Sequence, residues 1–287
     1  MPAGPSVAYQ GEPGAYGEEA ALGYFGERLV VPLPLPTFSA VCAAVLEGKA
    51  AAAVLPLENS LAGAVGEAVD ALMRAELVVT GELLLPVRHQ LLGLPGVALQ
   101  DVERVASHRQ ALAQCEAFLS SRSWRLIVAD DTAGAARQLV EASDRRAAVI
   151  ASERAAARYG LAILAADIQD TPGNVTRFAV IARPAAPAVP PAIGALAVGA
   201  HGPLASLVVF ETRHTAGALH HALGALAEAG VNISRIESRP TGRVRWEYRF
   251  LISVEGDAAA APLRGALVEL GRRAHAVRVL GSFPSAG

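Results

Sequence analysis

The feature that most constrains this chain is a proline cluster. Pro184, Pro187, Pro190 and Pro191 fall within eight residues. Each lacks a backbone N–H and fixes φ, so neither a helix nor a central strand runs through them. We read residues 184–205 as a linker. It separates an N-terminal region, 1–183, from a C-terminal module, 206–287. With 287 residues in all, the chain is long enough for two or three separate cores.

Before the break, short apolar runs alternate with helical patterns. Strands are predicted at Ser6–Gln10, Ala50–Leu57, Glu103–Ser107, Arg125–Ala129, Ala147–Ala151 and Val175–Ala182. Helices are predicted over Ala15–Phe25, up to about Arg74, over Arg109–Ser121, and from Thr132 and Ser152. Ser107 and Gln110 have the spacing of a capping box at the third of these helices. This order predicts an open, mostly parallel α/β arrangement, either one sheet or two lobes across a cleft. Composition fits: 52 % of residues are hydrophobic but only 5 % aromatic, so the cores are Ala, Val and Leu. After the break the order is βαββαβ, that of ferredoxin-like plaits.

The formal net charge of −2 gives no footprint for nucleic acid or an acidic membrane surface. Mean hydropathy is high, +0.34, yet Glu47 and Lys49 interrupt the Val41–Val54 run, and Ala192–Ala200 is too short to span. The first residues, Met1–Pro5, lack the pattern of a signal peptide. A cytoplasmic protein without membrane or nucleic-acid partners is expected. Cys42 and Cys115 lie in apolar helical patterns and are expected to be buried free thiols.

The motifs of nucleotide, serine-hydrolase and zinc chemistry are missing, so no cofactor and no metal is expected. Polar residues recur where strands hand over to helices: the Gly11–Gly14 turn with Ala15, Glu58-Asn59-Ser60, Ser107-His108 and Asp131-Thr132. Ligands of open α/β sheets bind at such strand ends, and helix N-termini there suit small anions. Taken one at a time, Ser60, Ser107 and Thr132 read more readily as helix caps. In Asn174-Val175-Thr176-Arg177-Phe178, alternation places Thr176 and Phe178 on one face of a strand and Arg177 on the other.

Taken together, these segments resemble the prephenate dehydratases over nearly the whole chain. The matching segments are Ala8–Tyr16, Leu55–Ser60 with Gly63 and Val65, His89 before Leu91-Leu92-Gly93, Ser107–Cys115 and Asn174–Phe178. The C-terminal module resembles an ACT domain, with Gly217-Ala218-Leu219 and Glu237-Ser238-Arg239-Pro240 where that family binds phenylalanine. Two positions depart from the pattern: Gly17 replaces a Ser or Thr, and Ala216 replaces a proline.

The resemblance implies a two-lobed, periplasmic-binding-protein-like catalytic region followed by a ferredoxin-like ACT domain. It implies decarboxylating dehydration of prephenate to phenylpyruvate under control by L-phenylalanine, in a homodimer or homotetramer. As catalytic residues we expect Thr176, Arg177, Glu58, Asn59 and Ser60, with Arg177 on a carboxylate, Thr176 on the leaving hydroxyl and Glu58 an acid if buried. As substrate-binding residues we expect Phe178, Asn174, His89, Ser107, Thr132, Gly14 and Ala15. His89 and His108 are weaker acid candidates. Removal of residues after about 190 is expected to leave activity and abolish the phenylalanine response. Three alternatives stay open: a prephenate decarboxylase, for which the missing hydroxyl at Gly17 speaks; an arogenate dehydratase; and a small-molecule-binding sensor without catalysis.

Overall fold

Apolar runs bounded by glycine and proline become strands, and the Ala/Leu-rich stretches between them become helices. The computed structural model describes residues 4–184, 202–243 and 245–286. A first lobe is built from β1 (Ser6–Gln10), α1 (Tyr16–Phe25), β2 (Val31–Leu35), α2 (Phe38–Leu46), β3 (Ala52–Asn59), β4 (Gly63–Ala64), α3 (Gly66–Arg74) and β5 (Val78–Pro86). The chain then crosses to a second lobe of β6 (Gln90–Gly93), β7 (Arg104–His108), α4 (Arg109–Ala113), α5 (Glu116–Ser120), β8 (Arg125–Ala129), α6 (Thr132–Ala142), β9 (Ala147–Ala151), α7 (Glu153–Tyr159) and β10 (Ala162–Ala165). It returns through β11 (Val175–Ala182), which inserts between β3 and β5 of the first sheet.

The sheets are mixed rather than mostly parallel. In the first, β2, β1 and β3 are parallel, but β11 runs antiparallel to both its neighbours. That reversal follows from the return crossing. In the second, ordered β10-β6-β9-β7-β8, the β6 and β10 pairings are antiparallel. β2 carries Pro32 and Pro34 and was not foreseen as a strand; it lies at a sheet edge, where a missing donor is tolerated. The expected Arg109–Ser121 helix is two short ones, although Leu112, Cys115 and Leu119 do share one buried cluster. The Ser107 capping box does not form. His108 is the N-cap, and Ser107 instead donates to Ile150 O at 2.7 Å, tying β7 to β9.

Pro187, Pro190 and Pro191 of the proline cluster fall within residues 185–201, outside the described residues. Beyond it come β12 (Leu204–Thr212), α8 (Ala218–Glu228), β13 (Ile233–Pro240), β14 (Tyr248–Glu255), α9 (Leu263–Arg273) and β15 (His275–Pro284). β12 thus takes the last two residues of the stretch read as linker. The strands form an antiparallel sheet, β13-β14-β12-β15, of ferredoxin-like order.

Alternation sorts this sheet's two faces. Val208, Phe210, Phe250 and Ile252 pack under α8 and α9. Leu207, Val209, Leu251, Leu280 and Phe283 join the core of the first lobe, against Leu57, Val79 and Ile181. The fit is close: a Cβ on Gly281 would stand 2.0 Å from Val79 O. Both cysteines are buried and free, and burial pushes the Cys42 thiol up to about 11 and the Cys115 thiol up to about 12. Among the described residues no helix is long and apolar enough to cross a membrane.

Candidate active site

The two crossings between lobes lie side by side, with Val87 N donating to Asn174 O and Ile168 N to His89 O. They form the floor of a cleft enclosing a cavity of about 580 Å³. β11 carries Thr176 and Phe178 toward this cavity, as period-two alternation requires, and sends Arg177 to the opposite face. Thr176 pairs in register with Asn59 of β3.

The hydrogen-bond polarity of the site is determined from one end. Asn59 Oδ1 accepts from the Leu61 and Ala62 N–H groups at 3.2 and 3.0 Å, which can only donate. Its Nδ2 therefore faces the other way. There it donates to Asn174 Oδ1 at 2.7 Å and to Thr176 Oγ1 at 3.0 Å. Asn174 must then present Nδ2 to Gln114 Oε1, at 3.1 Å, and Gln114 Oε1 also takes the Nε2 proton of His89, at 2.8 Å. Thr176 Oγ1 is occupied as an acceptor by Asn59, so its own proton is available to donate.

His89 is held on both sides. The phenol proton of Tyr16 has two acceptors within reach, Arg88 O at 2.7 Å and His89 Nδ1 at 3.1 Å. Burial lowers the His89 pKa below the usual histidine range, with the Gln114 bond opposing it. A neutral imidazole with both nitrogens engaged orients its neighbours and is a poor proton donor to a ligand.

Among the described residues, those at the N-terminal ends of five helices line the cavity. The lining includes Ala15, Tyr16 and Gly17 of α1, Phe38 of α2, Val65 and Gly66 of α3, His108 and Gln110 of α4, and Thr132 of α6. The N-caps of α1 and α3, Ala15 and Val65, make no side-chain cap bond. Among the described lining residues there is no lysine or arginine, while Glu67, Asp130 and Asp131 are acidic. An anion bound here meets backbone N–H groups and positive helix ends.

A sequence model described as prephenate dehydratase matches residues 7–186, and one described as ACT domain matches 206–272. The chain is 40 % identical to arogenate dehydratase/prephenate dehydratase 2 of Arabidopsis thaliana, over 97 % of this chain and 72 % of that protein. It is 35 % identical to the bifunctional chorismate mutase/prephenate dehydratase of Neisseria gonorrhoeae, over 98 % and 75 %. The crystal structure of the Arthrobacter aurescens prephenate dehydratase in complex with L-Phe superposes with a TM-score of 0.86 at 33 % identity, covering 98 % of this chain and 90 % of that one.

The chain belongs to the prephenate dehydratase family.

Within this prephenate dehydratase fold, the residues expected from sequence divide into three groups. Asn59, Thr176, Phe178, His89, Thr132 and Ala15 line the cavity, and Asn174 is buried beneath it, bonded to Asn59 and Gln114. Arg177 and Glu58 do not reach it. Alternation along β11 puts Arg177 on the rear of the sheet, and a bulge at Leu57, where the pairing steps from Glu58–Arg177 to Pro56–Phe178, leaves Glu58 there beside it. Arg177 there binds Glu82 at 2.6 Å, and its Nε lies 3.9 Å from Glu58. Both side chains therefore lie outside the cavity lining.

Ser60, Ser107 and Gly14 brace the site. Ser60 Oγ accepts from Val175 N at 3.0 Å. Gly14, at φ 92°, joins the lobes: its carbonyl accepts from Ser152 Oγ at 2.8 Å, and a Cβ on it would lie 2.9 Å from Ala155 Cα. Gln114, central to the network, had no role in the sequence reading, although Gln110 and Gln114 stand four apart on one helical face. Gly17 has no room for the expected hydroxyl residue without adjustment, a Cβ there meeting Gln10 O at 3.2 Å. In the C-terminal module, Arg239 is engaged with Asp70 of α3, both bonds at 2.9 Å.

Proposed function

We propose that the protein removes CO2 and water from prephenate to give phenylpyruvate, under allosteric control by L-phenylalanine. The observation that carries this reading is the Thr176 hydroxyl, held as a donor at the edge of an anion-binding cleft. Prephenate enters with two carboxylates. The C–CO2 electron pair moves into the ring, the ring becomes aromatic, and the hydroxyl at the opposite ring carbon departs and takes up a proton to leave as water. Thr176 donates to that oxygen as charge builds on it, and Phe178 walls the ring. The helix ends hold the side-chain carboxylate. The absence of lysine and arginine from the described lining leaves the ring carboxylate without a cation to stabilise it, which favours its loss. Incubation of the full chain with prephenate tests this: phenylpyruvate absorbance in alkali is expected to rise with time, and no product would end the proposal.

Arogenate, which carries an ammonium in place of the keto group, is the second substrate to compare. Asp130 and Asp131 in the cavity favour it. A kcat/KM for arogenate above that for prephenate would reverse the preference.

The division into a catalytic region to residue 183 and a regulatory module from 206 is part of the same proposal. So are a cytoplasmic location and assembly as a homodimer or homotetramer, with phenylalanine between modules near Gly217, Ala218, Leu219, Glu237, Ser238, Arg239 and Pro240. In support, Ser238 and Pro240 are exposed on β13, an edge strand.

A further inference from the structure

The rear of the catalytic sheet is not idle. Leu57, the extra residue of the β3 bulge, lies two residues before Asn59, and its carbonyl accepts from Val65 N at 3.0 Å. It accepts a second bond, at 3.0 Å, from Nη2 of Arg235, a residue of β13 in the regulatory module. The Arg235 Nε lies 3.3 Å from Glu58 Oε2, and the arginine side chain is only 9 % exposed. From Glu58 the contacts continue to Arg177, then to Glu82, whose carboxylate also accepts from Ala286 N near the chain's end. Glu58 and Arg177 are register partners directly next to Asn59 and Thr176, which face the cavity. The strand that carries Arg235 also carries Glu237, Ser238 and Pro240. Among the described residues, Arg235 Nη1 is buried without an acceptor, an uncommon state for a buried donor.

We propose that Arg235 is a positioning residue for the reaction: it clamps the Leu57 bulge from the regulatory module, and a shift of β13 on effector binding is passed through that clamp to Asn59 and Thr176. A bulge is suited to this. Its one extra residue is left out of the ladder, and its position sets the aim of the side chains beside it. The proposal rests on the functional reading above and adds the route by which the effector acts.

The test uses the full chain as wild type, Arg235→Met and Arg278→Met. Arg278 also bridges to the catalytic region, donating to Met73 O and Ala75 O at the end of α3, but does not touch the bulge. Each protein is assayed for prephenate turnover with and without saturating L-phenylalanine, and L-phenylalanine binding is measured by calorimetry. Arg235→Met is expected to bind L-phenylalanine with a Kd within about twofold of wild type. Its response in turnover is expected to shrink at least about fivefold, the low end of common allosteric couplings. Arg278→Met keeps the response. An undiminished response in Arg235→Met, loss of L-phenylalanine binding in step with the response, or an equal loss in Arg278→Met would each overturn the relay. Should Arg235→Met not fold, Arg235→Lys carries the same test, since it keeps the charge near Glu58 and loses the Leu57 bond. A wild type that makes no phenylpyruvate would instead be a failure of the functional reading.

Discussion

Asn59 and Thr176 are direct partners across β3 and β11, and the Asn59 amide nitrogen donates to the Thr176 hydroxyl oxygen at 3.0 Å. The pair is 117 residues apart in sequence. Its polarity, set by the Leu61 and Ala62 N–H groups, makes the threonine oxygen an acceptor and leaves its proton to donate.

Thr176→Ala is expected to lower kcat by about a hundredfold or more, the usual effect of removing one preorganised donor. Asn59→Asp keeps acceptors for Leu61 and Ala62 but can no longer donate to Thr176, so the hydroxyl turns toward the carboxylate. A comparable loss is expected, and the double variant should be little worse than either single one, as for residues acting as a unit. Steady-state kinetics on the three proteins check this; fully additive losses would contradict the coupling.

Arg177→Met separates the rear face from the cleft. Loss of a charge-assisted contact to a substrate carboxylate raises KM by about tenfold or more. Here KM is expected to change far less, because Arg177 binds Glu82 instead. Stability should fall by roughly 2–3 kcal/mol, below the value for a fully buried pair because Arg177 is partly exposed. Urea unfolding and KM measured on the same preparation decide between the two roles.

Gly14→Ala tests the junction of the lobes. The substitution forces a side chain into a left-handed conformation and against the Ala155 backbone. A loss of about 1–3 kcal/mol is expected from the strain, with a raised KM because the lobes no longer close to the same distance. Thermal unfolding and KM are the measurements.

His89 introduces a pH dependence. Its folded pKa lies below the ordinary 6.5, so the unfolded chain binds its proton first on acidification. Its contribution to stability is complete above about pH 6.5 and is lost as pH falls through the lower folded value. Between pH 7 and pH 5 the wild-type Tm is expected to drop more than that of His89→Asn. Parallel slopes would remove His89 from the account.

Removal of residues after about 190 should be more damaging than the sequence suggests. Leu207, Val209, Leu251, Leu280 and Phe283 share one apolar cluster with the first lobe. Exposing that face is expected to cost several kcal/mol, and so to lower Tm by about 10 °C or more at ~2–4 °C per kcal/mol. A truncated chain with wild-type Tm would show that the two cores are independent.

The local signals in the sequence carried a long way. Apolar periodicity located most strands and helices, and alternation along Val175–Ala182 already put Thr176 and Arg177 on opposite faces. The ordered motifs pointed to the family. Such features depend on a few consecutive residues and the geometry of one strand or helix turn. Tertiary structure decided what depends on pairing across long separations. It set the antiparallel insertion of β11, the bulge that turns Glu58 away from the cleft, the polarity running from Leu61 and Ala62 to Thr176, and the docking of Arg235 behind Asn59. None of these is written in any single segment, because register and hydrogen-bond direction are properties of two strands brought together, and a one-residue shift in either reverses which side chains meet the substrate.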